Sequence, residues 1–315
     1  MPLYDACFFS GTASQDLAKE IVKALGVPAG NLEIHKFSDG EIEPEFKQSI
    51  RGKDVFIIQS TYPPAEHIWE LLLIIDAAKR ASAHSITVVM PYYGYARQDR
   101  KSKGRVSIGA RVLADVLTRV GATRVITMDL HAGQIQGFYD IPVDNLSASI
   151  VFIPHLQKLG LKDLVVVAPD SGGTKRARDY ARWLKAELAM IEKFRSAPNV
   201  IEAMQLIGEV KNKNVIIVDD IVDTAGTLCR AADLLKSEGA LSVYAAITHP
   251  LLSGNAVEKI EKSAINKLFI TNTIPLRQKY NTSKLEIISI APIFARTFQK
   301  ILNFESVSSL FLELN

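Results

Sequence analysis

What most constrains this chain is an alternation of two periodicities. Short runs rich in β-branched residues, many of them continuously apolar, take turns with longer stretches in which apolar residues return every three or four positions. A strand points successive side chains to opposite faces, so a continuously apolar strand has to be covered on both. A three-to-four-residue apolar period describes a helix with one greasy face. Strands are expected at residues 55–59, 86–90, 125–129, 164–168, 215–219, 243–248 and 267–271. Helices are expected at residues 66–79, 108–119, 148–159, 174–188, 225–237 and 291–302. Parallel neighbours need a crossover long enough to return the chain, so this repetition implies parallel sheets wrapped by helices. The fold class is therefore α/β, with doubly wound parallel sheets. At 315 residues the chain exceeds what one core usually serves. Two domains are expected, residues 1–146 and 147–299, with the break close to residues 145–149 after the segment FYDIPVDN.

Charge and composition narrow the classes of partner. A net charge of +3 is too small to imply nucleic acid or a membrane surface as partner. Cys7 and Cys229 have no metal-ligand spacing and form no disulfide framework, so a reducing compartment, the cytoplasm, fits best. The opening MPLYDACFFSG has no basic region before an apolar stretch, unlike a signal peptide. The longest apolar run, residues 71–75, is bounded by Glu70 and Asp76 and is too short to span a bilayer. Two matches to the glycosylation acceptor pattern, at Asn145 and Asn281, are read as chance in a chain without a secretion signal.

In open α/β sheets ligands sit beyond the carboxyl ends of the strands, and polar residues collect there in this chain. Asp129 and His131 follow one expected strand, Asp170 another, and Asp219 with Asp220 a third. The densest case is NVIIVDDIVDTAGTLCRAADLL, Asn214 to Leu235. An apolar strand ends in two adjacent acids. Asp223 and the small-residue run Thr224, Ala225, Gly226 and Thr227 come next. A helix then presents Leu228, Ala231, Ala232 and Leu235 on one face and ends near Gly239. Small residues let backbone N–H groups approach a phosphate closely, the helix N-terminus adds partial positive charge, and the threonines add hydroxyl donors. The paired acids suit vicinal hydroxyls, which can donate to them, or a metal. An ordinary N-cap by Asp223 or Thr224 would account for one or two of these residues. It would not account for two further acids at a buried strand end.

The segment VIIVDDIVDTAGT resembles the phosphoribosyl pyrophosphate motif of the type I phosphoribosyltransferase fold. The resemblance implies that fold for both domains. It implies a sugar 5-phosphate held by Asp223, Thr224, Ala225, Gly226 and Thr227, and ribose hydroxyls held by Asp219 and Asp220. A lone histidine is usually structural. His131, however, lies in MDLHAGQIQGFYDIPVDNL, which is similar to the signature of the ribose-phosphate pyrophosphokinase family. FSDGE is by itself an Asp-Gly turn beside charge; it resembles the family's adenine-binding loop and implies ATP contacts by Phe37, Asp39 and Glu41. PYYGYARQDRK resembles the family's ATP segment and adds Arg97, Gln98 and Asp99, with His131 completing the set. Residues 97–105 carry five basic groups against the single acid Asp99, and the tyrosines at 92, 93 and 95 favour a nucleotide-phosphate site over a solvated basic loop. VVVAPDSGGTKRARDYA places Asp170 before a Gly pair that opens a helix, where backbone can approach an anion; the family uses this loop for pyrophosphate and a metal. EKFRSAPNVIEAM resembles a mobile loop whose basic residues, here Lys193 and Arg195, close over the transferred group. Phe194 stands where the family has a further basic residue.

The resemblance covers essentially the whole chain, including the tail ESVSSLF, and implies that residues 300–315 pack back on the first domain. Ser49, Arg51, Arg80, Asn145, Ser147, Ser306 and Ser308 resemble the surroundings of an intersubunit regulatory site for phosphate and ADP; ordinary surface roles suit each of them equally well. The implied activity moves the β,γ-pyrophosphoryl group of ATP to the C1 hydroxyl of ribose 5-phosphate. It implies Mg²⁺ as cofactor, anchored by His131 and Asp170. It also implies a homo-oligomer of dimers, assembled into hexamers, because Phe37, Asp39 and Glu41 would reach ATP bound mainly by the neighbouring subunit. Two alternatives remain. A phosphoribosyltransferase would explain residues 219–227 but not residues 37–41, Arg97 or His131. A catalytically silent regulatory subunit would be expected to have lost His131 or the pair Lys193 and Arg195, and the chain keeps them.

Overall fold

A computed structural model describes residues 6–194 and 203–312. The chain divides into two compact units. The first runs to Ser147 and takes in Thr273–Pro275 and Ile290–Leu310; the second holds Ala148–Asn272 and Leu276–Ser289. Among the described residues no helix is long and apolar enough to cross a membrane.

In the first unit β1 (Ala6–Ser10) leads into α1 (Gln15–Leu25), and β2 (Leu32–Lys36) and β3 (Ile42–Phe46) form an antiparallel hairpin. The sheet continues through β4 (Asp54–Ile58), α2 (Glu66–Arg80), β5 (Ser85–Met90), α3 (Gly109–Val120), β6 (Arg124–Met128) and β7 (Val143–Leu146). Its five strands are all parallel, in the order β1-β4-β5-β6-β7. Val55, Ile57, Val88 and Val125 turn one way into a core with Leu71, Ile74, Leu113 and Leu117 from α2 and α3. Burial of each such side chain contributes about 1.5–3 kcal/mol before the entropy of ordering it is counted.

In the second unit α4 (Ser149–Gln157), β8 (Leu164–Ala168), α5 (Thr174–Leu184), β9 (Glu187–Phe194) and β10 (Ala203–Ile207) precede β11 (Asn214–Val222) and α6 (Gly226–Ser237). Then come β12 (Ser242–Pro250), α7 (Ala256–Lys262), β13 (Lys267–Thr271) and β14 (Leu285–Ile288). The strand order is β10-β9-β8-β11-β12-β13-β14. Every pair is parallel except β9 with β10. From β8 the chain moves outward to β9, then returns to place β11 on the other flank of β8. Crossovers leave β8 and β11 in opposite directions, so a crevice opens between their carboxyl ends.

The helix α8 (Ala291–Leu302) returns to the first unit. The sequence division at residues 147–299 put most of this helix in the second domain. The difference has a packing reason: Phe8 and Phe56 lie on the sheet face opposite α2 and α3 and need a cover. Phe298 supplies it, with ring centroids 5.7 Å from Phe8 and 4.9 Å from Phe56. α8 also packs against α1.

Two expected boundaries move most. α5 stops at Leu184, not at residue 188, because Lys185 turns left-handed (φ +52°) and its N–H closes the helix on Ala181 and Arg182; Leu188 belongs to β9. β11 runs on to Val222, so Asp219 and Asp220 lie within the strand near its end. The strands β1, β7, β9, β10 and β14, the hairpin and α1 were not expected from periodicity. Most of these strands lie at sheet edges or alternate too weakly to stand out.

Gly94 shows how tightly the loop after β5 is set. Its N–H donates to Thr61 Oγ1 at 2.7 Å, and a Cβ built there would run into the Thr61 carbonyl oxygen. Gly94→Ala is expected to lower stability by about 1–3 kcal/mol through backbone displacement. Denaturant unfolding of the variant beside the parent chain measures it.

Candidate active site

The crevice between β8 and β11 is where the second unit concentrates chemistry. Asp170 follows β8, and its Oδ1 accepts the Gly173 N–H at 3.1 Å, fixing the carboxylate over the turn Ser171–Gly173 that opens α5. One turn into α5, Arg176 reaches back to β11. Its guanidinium lies 3.3 Å from Asp219 Oδ1 and 3.3 Å from Asp220 Oδ1. Asp220 is buried, whereas Asp219 keeps 27% of its side-chain surface. Burial first, and the neighbouring Asp220 charge second, raise the Asp219 pKa from its ordinary 3.8 to about 8, with Arg176 acting against both. Burial and mutual repulsion therefore favour the neutral form of this carboxyl.

Past Val222 the chain makes the small-residue loop. Ala225 is left-handed (φ +58°), and α6 starts at Gly226 with no side-chain cap. The cap residue of α6 is Ala225, not the Asp223 or Thr224 of the ordinary N-cap alternative, so the cap position itself offers the opening turn no side-chain acceptor. A left-handed residue followed by a right-handed one turns successive N–H groups to one side, the concavity that binds anions. Asp223, Thr224, Ala225, Gly226 and Thr227 thus form a cradle directly after the acid pair.

The first unit carries the remaining expected groups on loops. Phe37, Asp39 and Glu41 lie at the tip of the β2–β3 hairpin. Asp39 Oδ1 accepts the Glu41 N–H at 3.0 Å, and the Phe37 ring is 51% exposed. Arg97, Gln98 and Asp99 follow β5; Gln98 N–H donates to the Tyr95 carbonyl at 2.8 Å and its own carbonyl accepts from Ala110. His131 is exposed just beyond β6. Two links join its loop to the one after β5. Gln134 Nε2 donates to Asp99 Oδ2 at 2.7 Å. Tyr139 Oη donates to Tyr93 Oη at 2.9 Å, and Tyr93 Oη to the Ala110 carbonyl at 2.9 Å. Both phenols are buried, which pushes their pKa values up and keeps them protonated donors. Among the described residues, the one group with metal-like spacing is Glu33, His35 and Glu45, exposed on the hairpin, where Lys47 already pairs with both glutamates.

The residues expected at a regulatory site take ordinary local roles in part. Arg51 donates to Ser82 Oγ at 3.1 Å, Arg80 pairs with Asp76 at 2.6 Å, and Ser306 and Ser308 share a hydrogen bond of 2.7 Å. Asn145 Oδ1 accepts the Leu130 N–H at 3.1 Å and so steadies the backbone just before His131. Ser49 is exposed and Ser147 half-buried. Lys193 stands in β9 opposite Met204 of β10. Arg195 lies outside the described residues.

Residues 6–121 match the family model described as the N-terminal domain of ribose phosphate pyrophosphokinase, and residues 193–312 match that of the phosphoribosyl synthetase-associated domain. A ribose-phosphate pyrophosphokinase of Wolinella succinogenes is 51% identical over 305 residues, spanning 96% of this chain and 98% of the relative. The chain belongs to the ribose-phosphate pyrophosphokinase family. It is accordingly an enzyme. A second relative of the same name, from Halalkalibacterium halodurans, is 51% identical over 96% of each chain. The crystal structure of phosphoribosylpyrophosphate synthetase from Mycobacterium smegmatis superposes with a TM-score of 0.90 at 38% identity, covering 95% of this chain and 99% of that one.

Within this member of the pyrophosphokinase family, Arg176 is the site residue that sequence reasoning passed over. The signal was present: in SGGTKRARDY the arginine stands five residues after the Gly172 position minus one, that is after Ser171, on the first turn of a helix that starts beside the acids. Its partners, however, lie 43 and 44 positions away. The raised pKa of Asp219 fixes the sign of a pH effect. A carboxyl that binds its proton more tightly in the folded state loses stability as pH rises, between about 4 and 8 here. Asp219→Asn is expected to flatten that fall in the ligand-free protein. Denaturation midpoints of parent and variant from pH 5 to about 8.5 measure the difference.

Proposed function

We propose that this chain transfers the β,γ-pyrophosphoryl group of ATP to the C1 hydroxyl of ribose 5-phosphate, giving 5-phosphoribosyl 1-pyrophosphate and AMP. The observation that carries the reading is the succession, at the sheet reversal, of the acid pair Asp219–Asp220 and the uncapped cradle of residues 223–227. Ribose hydroxyls donate to the carboxylates. The 5-phosphate takes the amides and threonine hydroxyls at the start of α6. This grip holds the sugar by its hydroxyls and far phosphate and leaves C1 free to react. The C1 oxygen forms its bond to the β-phosphorus, the bond from that phosphorus to the α,β-bridging oxygen breaks, and AMP carries the bridging oxygen away. Positioning and charge neutralisation supply most of such catalysis.

ATP is assigned to Arg97, Gln98, Asp99 and His131, with Phe37, Asp39 and Glu41 reaching it from the hairpin of a second copy. The exposed Phe37 ring supports that assignment. An apolar groove of about 340 Å³ lined by Ile68, Leu72, Tyr95, Val112 and Val116 supports a homo-oligomer, for which dimers within a hexamer are the proposed assembly. Asp170 is a hard oxygen donor held in place by its turn, the donor type that Mg²⁺ prefers; His131 is the second assigned anchor. When bound, Mg²⁺ supplies charge neutralisation at phosphate oxygens. Phosphate and ADP as effectors remain assigned to the surroundings of Ser49, Arg51, Arg80, Asn145, Ser147, Ser306 and Ser308. A phosphoribosyltransferase would use the cradle equally well, but would leave the linked loops of Asp99 and His131 without a purpose.

The phosphorus spectrum of the chain with ATP, ribose 5-phosphate and Mg²⁺ tests the reaction. AMP together with a diphosphate on the sugar C1 is expected; ADP with a new sugar monophosphate would replace the reading with an ordinary kinase. Lys193 and Arg195 are assigned to the charge that develops on the transferred group. Lys193→Ala and Arg195→Ala are each expected to lower kcat about a hundredfold while substrate binding largely survives. Near-parental turnover in both would remove them from the mechanism.

A further inference from the structure

The phosphate cradle has the opposite charge from what its ligand needs. Residues 219–227 contain three acids and no basic residue, and the nearby Arg176 is engaged by two of those acids. What aims the cradle lies elsewhere, in the segment after β12. Three successive carbonyls are taken by that segment. Leu252 N–H donates to the Val222 carbonyl at 3.2 Å, and Ser253 N–H to the Asp223 carbonyl at 2.9 Å. Lys259 Nζ, from α7, donates to the Thr224 carbonyl at 3.1 Å.

In a trans peptide the C=O and the N–H of one unit point in opposite directions. Fixing the carbonyls of 222, 223 and 224 toward residues 252–259 therefore turns the N–H groups of Asp223, Thr224 and Ala225 to the other side. Ala225 is left-handed, and the helix that follows adds its own unpaired amides on the same turn. The supporting segment is itself held firmly: Leu252 is buried and Ile260, the residue after Lys259, is fully buried in the core of the unit.

We propose that Lys259 is a positioning residue for the sugar 5-phosphate. It fixes the Thr224 peptide so that the Ala225 amide faces the phosphate, and it places one positive charge behind a loop that has none. The inference rests on the reading of residues 219–227 as the sugar-phosphate site. Of the three links, Lys259 is the one made by a side chain, so it alone can be removed without altering the backbone. Arginine at this position keeps both a donor and the charge; methionine keeps the length and loses both.

The test compares the full-length parent with Lys259→Met and Lys259→Arg. Steady-state kinetics and calorimetric binding of ribose 5-phosphate are measured, with thermal melting as a check on folding. Lys259→Met is expected to raise both KM and Kd for ribose 5-phosphate about tenfold, the scale of one charge-assisted hydrogen bond. KM for ATP is expected to stay within about twofold, and Lys259→Arg to restore most of the loss. Unchanged ribose 5-phosphate affinity in Lys259→Met, with the parent binding the sugar phosphate normally, would overturn the inference alone. A parallel rise in KM for both substrates, accompanied by a lowered melting temperature, would make the contact merely structural and overturn it too. Failure of the parent itself to bind ribose 5-phosphate would remove the reading of the cradle, and the inference with it.

Discussion

Two carboxylates side by side near the end of a buried strand repel each other, and the second unit is arranged around that repulsion. Such a pair persists only if something offsets the cost. Here Arg176 lies 3.3 Å from one oxygen of each acid, and burial with the neighbouring charge pushes the Asp219 pKa up, toward the neutral form. Both devices suit the role proposed for the acids, the exchange of these partners for sugar hydroxyls. The arginine contact depends on β11 lying beside β8, because that adjacency brings α5 across to β11.

The same adjacency creates the crevice. The chain visits β9 on one side of β8 and β11 on the other, so the loops leaving β8 and β11 diverge. Asp170 stands on one lip, and the acid pair with the loop proposed to hold phosphate on the other. The cradle follows from a negative fact about α6. With Ala225 left-handed at the cap position, the cap residue offers the first amides no side-chain acceptor. A capped helix would be more stable by about 1 kcal/mol. Its absence is the kind of local cost that functional sites carry.

In the first unit the same problem of holding loops is solved mostly with neutral groups. The segment after β5 and the segment after β6 carry the residues assigned to ATP. They are tied by Gln134 to Asp99 and by the buried chain from Tyr139 through Tyr93 to the Ala110 carbonyl. Burial keeps both phenols protonated, so the link does not change with pH in the physiological range. The framework beneath these loops is thereby fixed in part by hydroxyls.

Periodicity alone determined much of this protein. Continuously apolar runs can be satisfied only by strands covered on both faces, and that placed the central strands β4, β5, β6, β8, β11, β12 and β13 and most of the helices. The motifs at residues 219–227 and around Asp170 and His131 were equally legible, because a strand end followed by small residues and a helix is a local pattern. What the sequence left open depends on contacts between distant positions. Edge strands have weak patterns, so β1, β7, β10 and β14 emerged only with their neighbours, as did the internal but weakly patterned β9. The return of α8 to cover Phe8 and Phe56 was decided by which sheet face lacked a partner. Arg176 and Lys259 lie outside the motif they serve, 43 and 35 positions from Asp219 and Thr224, and no local pattern could announce them. The sequence fixes which groups are available near each strand end; only the tertiary structure decides which charges and carbonyls face one another, because that depends on strand order.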